Sequence, residues 1–195
     1  MSAQASTMGR SVEIKKPRIP SVVFGMGLFV ATEVMFFTAL ISSYVVIKAG
    51  TGNWVPPQGV RLPVAATALN TLVLLASGYF MFLGGKKLRA GLRERAAQML
   101  LQSIFLGAFF VVFQGYEWVQ LISLGMSMQS NIFAACFYLL IGSHGLHALL
   151  SVVAMFVCLN LLKRGRFSKD DYRALEMFWY FIVGVWPLLY GLVYF

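Results

Sequence analysis

Five ionisable side chains fall within, or at the edge of, long apolar stretches of this sequence: Glu33, Glu117, His144, His147 and Glu176. A charge at the centre of a bilayer costs at least about 2.5–3.5 kcal/mol, so in a membrane each must face protein, water or a partner. Glu33 is the strongest candidate for chemistry. It lies 13 residues past Pro20, which is about 20 Å along a helix and close to the middle of a bilayer.

His144 and His147 raise the question of a metal site. They are three residues apart in the fourth apolar stretch, so they share one face of a helix at mid-depth. A catalytic metal or a heme needs further ligands, but the chain has no other histidine, and its two cysteines, Cys136 and Cys158, are out of register with this pair. We therefore expect no metal or cofactor on this chain. The histidines should hydrogen-bond to Glu33, to Glu117 or to the backbone.

Glu117 belongs to the segment FQGYEW at residues 113–118, which also contains Gln114. Polar side chains that hydrogen-bond between membrane helices contribute about 0.6–2 kcal/mol, and small residues let the helices approach. Gly107, Ala108 and Gly115 are candidates for such an approach. We expect Glu117, Gln114, His144 and His147 to form a buried polar network with a structural role.

The elements that position these residues are five apolar stretches. Hydrophobic residues make up 59% of the 195 residues and charged residues 12%, against about 25% charged in a typical soluble domain. A membrane-spanning helix needs about 20 mostly apolar residues. The sequence predicts an all-α membrane bundle whose spans cover about Val22–Ile47, Pro63–Gly85, Met99–Ile122, Ile132–Leu162 and Leu175–Phe195.

Charge placement predicts the topology of this bundle. Of the 16 Lys and Arg residues, four lie in the N-terminal tail, five between the second and third spans, and five between the fourth and fifth. Since cytoplasmic loops collect Lys and Arg, we expect the N-terminus in the cytoplasm and the C-terminus in the periplasm. The net charge of +9 thus reflects membrane orientation and does not indicate a nucleic-acid partner.

The predicted organisation is one membrane domain, residues 21–195, preceded by a tail of residues 1–20. The tail contains Ser, Lys and Arg without an apolar period and ends in Lys-Pro-Arg-Ile-Pro, which resists helix formation. We expect this tail to be mobile and cytoplasmic.

Four segments, in order, resemble the subunit III family of heme–copper oxidases, also called cytochrome c oxidase subunit 3. They are GMGLFVATEVMFFTALISSY around Glu33, ALNTLVLLASG at 68–78, FQGYEW at 113–118 and IGSHGLHALLSV at 141–152. The resemblance covers about residues 20–195 and is to the short five-helix bacterial form. The last span departs from the family pattern, in which a Trp-His pair is followed by Asp, because Tyr180 and Val183 occupy those positions.

The resemblance implies a subunit without metal centres that docks on catalytic subunit I, which holds the hemes and copper. Such a subunit supports oxygen reduction, proton pumping and complex stability in a bacterial inner membrane. The isolated chain would not be catalytic. The residue matching Glu33 is a buried carboxylate associated with sustaining proton uptake, and membrane phospholipid is bound in a cleft between helix bundles.

The sequence is compatible with two other kinds of function. The oxidase could take electrons from quinol instead of cytochrome c, or be a relative associated with nitric oxide reductase, because donor choice lies in other subunits. A small ion channel or transporter is a different class of candidate, since intramembrane carboxylates and histidines also mark ion pathways. Against that class, the sequence shows no inverted repeat, which many transporters contain.

Overall fold

Five α-helices make up nearly all of the chain that the computed structural model describes, residues 20–52, 54–57 and 63–195. They are α1 Ser21–Gly50, α2 Val64–Arg89, α3 Arg93–Ser123, α4 Ile132–Lys163 and α5 Lys169–Tyr194. Each is long and apolar enough to cross a membrane, and no strand occurs within the described ranges. The predicted all-α, five-span class is confirmed. The predicted mobile tail, apart from Pro20, lies outside the described residues.

The helices are longer than the apolar stretches from which the sequence predicts them. α3 begins at Arg93 and α5 at Lys169, each six residues before the predicted span. A helix of 30 residues is about 45 Å long, whereas the hydrocarbon core is about 30 Å thick. The additional turns carry charged side chains into the polar headgroup region, where a hydropathy pattern no longer marks a helix.

Four of the helices form a closed bundle, and α1 is attached to its outside. α2 packs against α3 and α5, and α4 packs against the same two helices. α1 contacts α4 and α5 but, among the described residues, neither α2 nor α3. Among the described residues, the side chains that can complete a site on α1 therefore come from α4 or α5.

The contact between α5 and α2 is made by aromatic side chains that donate hydrogen bonds. The donors and acceptors are Tyr172 to Met81 O at 3.1 Å, Trp179 to Ser77 Oγ at 2.9 Å, Trp186 to Thr71 Oγ1 at 2.8 Å and Tyr190 to Val64 O at 3.0 Å. Trp179 and Trp186 are fully buried. Because hydrocarbon offers no water to an indole N–H, these bonds remove the cost of leaving the donors unpaired.

Small residues provide the space that these large rings need. A Cβ on Gly107 of α3 would lie 2.9 Å from the Trp179 ring, and one on Gly78 of α2 would lie 3.3 Å from Val183. Gly107 thus allows the close approach expected for it, whereas a Cβ on Gly115 would meet no atom within 4 Å. Val183, one of the two departures from the family pattern, packs its methyl groups on Gly78.

The two basic loops meet at one end of the bundle. Gly91 and Gly165 each follow the end of a helix with a positive φ, 82° and 77°, which a residue without Cβ adopts without strain. Arg93 donates to Phe167 O at 3.3 Å, and Lys169 donates to the carbonyl of Arg89 at 3.1 Å. This end therefore concentrates positive charge, as a single cytoplasmic face would require.

The bond from Trp179 to Ser77 can be measured with a double-mutant cycle of Trp179→Phe and Ser77→Ala. We expect a coupling free energy of about 0.6–2 kcal/mol, the range for hydrogen bonds between membrane helices. The measurement is unfolding of the protein in detergent, followed by near-UV circular dichroism. Additive effects of the two substitutions would show that this bond contributes nothing to the α2–α5 contact.

Candidate functional site

Glu33 and His147 form a pair across the α1–α4 contact. The Glu33 Oε2 atom lies 3.0 Å from His147 Nε2. On the other side of the same ring, Nδ1 lies 2.7 Å from the Ser143 carbonyl oxygen. A carbonyl only accepts hydrogen bonds, so Nδ1 carries a hydrogen, and Nε2 is the ring nitrogen that faces Glu33.

Aromatic rings enclose this pair on the protein side. The His147 ring centroid lies 5.8 Å from that of Phe36 and 5.3 Å from that of Phe37, and Phe37 also contacts Phe181 of α5 at 5.8 Å. The pair is not sealed, because the Glu33 side chain is 14% exposed and that of His147 is 20% exposed. Both side chains are therefore partly accessible at the surface of the described residues.

Glu117 belongs to a separate polar group between α3 and α2. Its Oε2 atom lies 3.1 Å from Thr67 Oγ1 and 3.2 Å from Gln114 Nε2. The Thr67 hydroxyl also lies 2.9 Å from Pro63 O, and it has one proton to donate. If Glu117 is protonated, it donates to Thr67, whose own proton then goes to Pro63. In either state the group ties α3 to the first turn of α2.

His144 is fully buried but joins neither of these groups. Neither of its ring nitrogens has a hydrogen-bond partner among the described residues. Its ring lies 5.1 Å from Trp186 and 6.1 Å from Phe37, measured between ring centroids. The two histidines therefore have different surroundings: His147 meets a carboxylate, and His144 packs among aromatic rings.

A third polar group lies at the basic end and includes Tyr180, the other departure from the family pattern. Glu176 Oε2 lies 3.2 Å from Arg89 Nη1, and the Tyr180 hydroxyl donates to Glu176 Oε1 at 3.3 Å. The carboxylate is buried against Gly85, where a Cβ would collide with it. The last helix thus has a polar contact of its own, which fastens α5 to the end of α2.

Sequence reasoning missed Thr67 and Arg89 as partners of the two carboxylates. A signal for Thr67 was available, because Thr67, Asn70 and Thr71 form one polar face in an otherwise apolar helix. No comparable pattern in the sequence pointed to Arg89, because it lies in a basic segment whose charges were interpreted as indicating topology.

The described residues do not gather the set of ligands that a metal ion needs. In residues 20–52, 54–57 and 63–195, no three His, Cys, Asp or Glu side chains come close enough to hold a metal ion together. The Glu33–His147 pair brings a carboxyl and an imidazole together, with Oε2 and Nε2 3.0 Å apart.

Comparison with known proteins decides the family. The sequence profile of the family described as Cytochrome c oxidase subunit III matches residues 13–195. The chain belongs to that family. The resemblance of the four motifs to heme–copper oxidase subunit III is thus confirmed, and the chain is a subunit of an oxidase complex.

Individual relatives show which form of subunit III this is. The chain is 29% identical to the probable cytochrome c oxidase subunit 3 of Nocardia farcinica, an alignment that covers 100% of this chain and 99% of the relative. It is 26% identical to the subunit 3 of Thermostichus vulcanus, over 88% of this chain and 86% of that one. The mouse subunit 3 is 32% identical over 88% of this chain, but only 68% of the mouse protein is covered. The five-helix subunit III therefore matches bacterial relatives nearly end to end.

Substitution of Gly85 tests the contact at the basic end of subunit III. Gly85→Ala should destabilise the subunit, because the new Cβ would displace the Glu176 carboxylate from Arg89. We expect a loss of about 1–3 kcal/mol, typical of overpacking, measured as a lower midpoint of thermal unfolding in detergent.

Gly184→Ala is the matched control, because a Cβ there would meet no atom within 4 Å. Alanine is the better helix former by about 1 kcal/mol, so this control should be neutral or stabilising. Equal stability of the two variants would contradict a tight contact at Gly85.

Proposed function

We propose that this chain is the subunit III of a bacterial cytochrome c oxidase, that it docks on the catalytic subunit, and that the Glu33–His147 pair supports proton uptake. The single observation that carries the proposal is the 3.0 Å contact between Glu33 Oε2 and His147 Nε2 on two membrane-spanning helices. The hemes and copper belong to partner subunits. This chain contributes a protonatable site and contact surface to the complex.

The chemistry of the pair supports this role. With Nδ1 bound to Ser143 O, a proton placed between the two side chains can reside on either Oε2 or Nε2, which lie 3.0 Å apart. The pair is then either a carboxylic acid beside a neutral imidazole or a carboxylate beside an imidazolium. Both states have zero net charge, so the proton can move between the two atoms without burying a net charge in hydrocarbon. A donor on a neighbouring molecule can give the pair a proton through its exposed side, and an acceptor there can remove one.

The Glu33→Gln substitution tests this proposal because it keeps the shape of the side chain and removes the titrating group. We expect the oxidase to assemble with its normal subunits, while turnover declines faster during sustained activity or fewer protons are pumped per electron. Proton release from reconstituted vesicles and oxygen consumption over time measure the two effects.

Glu117→Gln is the matched control, since it makes the same chemical change in a carboxylate bound to Thr67 and Gln114. It should change stability and leave pumping as in the wild type. Wild-type turnover and pumping in an assembled Glu33→Gln oxidase would overturn the role proposed for Glu33. Equal pumping defects in both variants would point to structural damage instead.

The electron donor is proposed from the relatives, which are named cytochrome c oxidase subunit 3. A quinol-oxidising complex is the competing possibility. Affinity purification of the intact complex through this chain, followed by its visible spectrum and turnover with each donor, distinguishes the two. A purified lone chain that conducted ions in liposomes would instead favour a channel or transporter.

The orientation of the subunit is also a proposal: the N-terminus and both basic loops face the cytoplasm of a bacterium, and the C-terminus faces the periplasm. Single cysteines at Lys87 and Arg166, in a chain whose Cys136 and Cys158 are replaced by alanine, should react with a membrane-impermeant maleimide only from the cytoplasmic side. Labelling of intact cells from outside would reverse the orientation.

A further inference from the structure

A cavity of about 270 Å³ lies between α3 and α4. Gly115, Gly142 and Gly145 are on its wall, and the absence of side chains there leaves the two helices apart. A Cβ on Gly115 would meet no atom within 4 Å. Among the described residues the wall includes no part of α1, so the cavity is separate from the Glu33–His147 pair.

Polar atoms on this wall lack hydrogen-bond partners from the described part of the chain. His144 and Gln114 line the cavity, and they are 0% and 3% exposed. Both ring nitrogens of His144 and the Oε1 atom of Gln114 are unpaired, whereas Gln114 Nε2 donates to Glu117. The buried Nε1 of Trp118, on the same wall, is also unpaired. Since a neutral imidazole has one donor and one acceptor, the wall presents two donors and two acceptors.

These atoms require a small occupant that both donates and accepts hydrogen bonds. A buried polar atom without a hydrogen bond costs free energy, and a hydrocarbon chain in the cavity would leave all of these atoms unpaired. Water donates and accepts, and a bound water molecule needs two to four polar partners. Water occupies about 30 Å³ per molecule in the liquid, so a cavity of about 270 Å³ has room for several molecules.

We propose that this cavity is a hydration site, whose water molecules hydrogen-bond to His144, Gln114 and Trp118. Gln114 reaches the water through Oε1 and Glu117 through Nε2, and Glu117 is bound in turn to Thr67. The water therefore extends the polar group of α3 and α2 into the core of the bundle, as far as the imidazole of α4. This inference goes beyond the proposed function and does not depend on proton uptake.

Radiolytic labelling of the intact oxidase tests the cavity for water. An X-ray pulse turns water into hydroxyl radicals that oxidise adjacent side chains, and mass spectrometry measures the label on each residue. Trp186 lines the cavity, and Trp179 is the matched control outside it. Both are fully buried, and the indole of each donates to a hydroxyl of α2. We expect Trp186 to be labelled several-fold faster than Trp179. Equal rates would mean a dry or hydrocarbon-filled cavity and would overturn the proposal.

Two substitutions of His144 separate hydrogen bonding from packing. His144→Leu removes both ring nitrogens, whereas His144→Gln keeps one group that donates and one that accepts. Labelling of Trp186 should fall several-fold in the leucine variant and stay near the wild-type rate in the glutamine variant. The same rate in both variants would contradict the proposal, because the water would then not be held by the polar atoms of this side chain.

Filling the cavity provides a test that leaves its polar side chains in place. Gly115→Leu puts an apolar side chain where a Cβ meets open space, so it should displace water and lower the labelling of Trp186 several-fold. Gly184→Leu is the matched control, because a Cβ there also meets no atom within 4 Å and the residue is exposed on α5 outside the cavity. Wild-type labelling of Trp186 in an assembled Gly115→Leu oxidase, or an equal loss in both variants, would overturn the proposal.

Discussion

The row of hydrogen bonds from α5 to α2 is the interaction on which the bundle depends. Tyr172, Trp179 and Trp186 are seven residues apart, the heptad spacing that keeps one face of a helix against its neighbour at a small crossing angle. Each contributes a large ring to the packing and one donor to α2. A shift of α5 by one turn would break all of these bonds, and hydrocarbon offers the donors no water in exchange. The row of hydrogen bonds therefore fixes the position of α5 along the axis of α2, as well as holding the two helices in contact.

Once α2 and α5 are in register, the positions of the polar groups follow. The first turn of α2 brings Thr67 to Glu117 of α3, and its last turn brings Arg89 to Glu176 of α5. These carboxylates lie at opposite ends of the bundle, where each fastens two helices together. The Glu33–His147 pair differs from both, since it joins the bundle to a helix outside it and is partly exposed.

The sequence predicted the number of helices and their approximate bounds, because both follow from apolar length and a rise of 1.5 Å per residue. The pairing of side chains was not predictable in the same way. α1 is apolar on every side of Glu33, so no stripe indicates which face meets α4. The two histidines are three residues apart and looked equivalent in the sequence. That spacing turns their side chains about 60° away from each other around the helix axis. As a result only His147 faces the Glu33 carboxyl, and His144 lies among the aromatic rings of the bundle core.

The weak attachment of α1 to the bundle affects the Glu33–His147 pair. Of its 30 residues only Val23, Phe37 and Tyr44 are buried, so α1 has the smallest hydrophobic hold on the bundle, and its seam with α4 is where local opening costs least. Separation of that seam would leave a carboxyl and an imidazole each without a partner in hydrocarbon. The fit of α1 against α4 therefore decides whether the Glu33 carboxyl and the His147 imidazole each keep a polar neighbour.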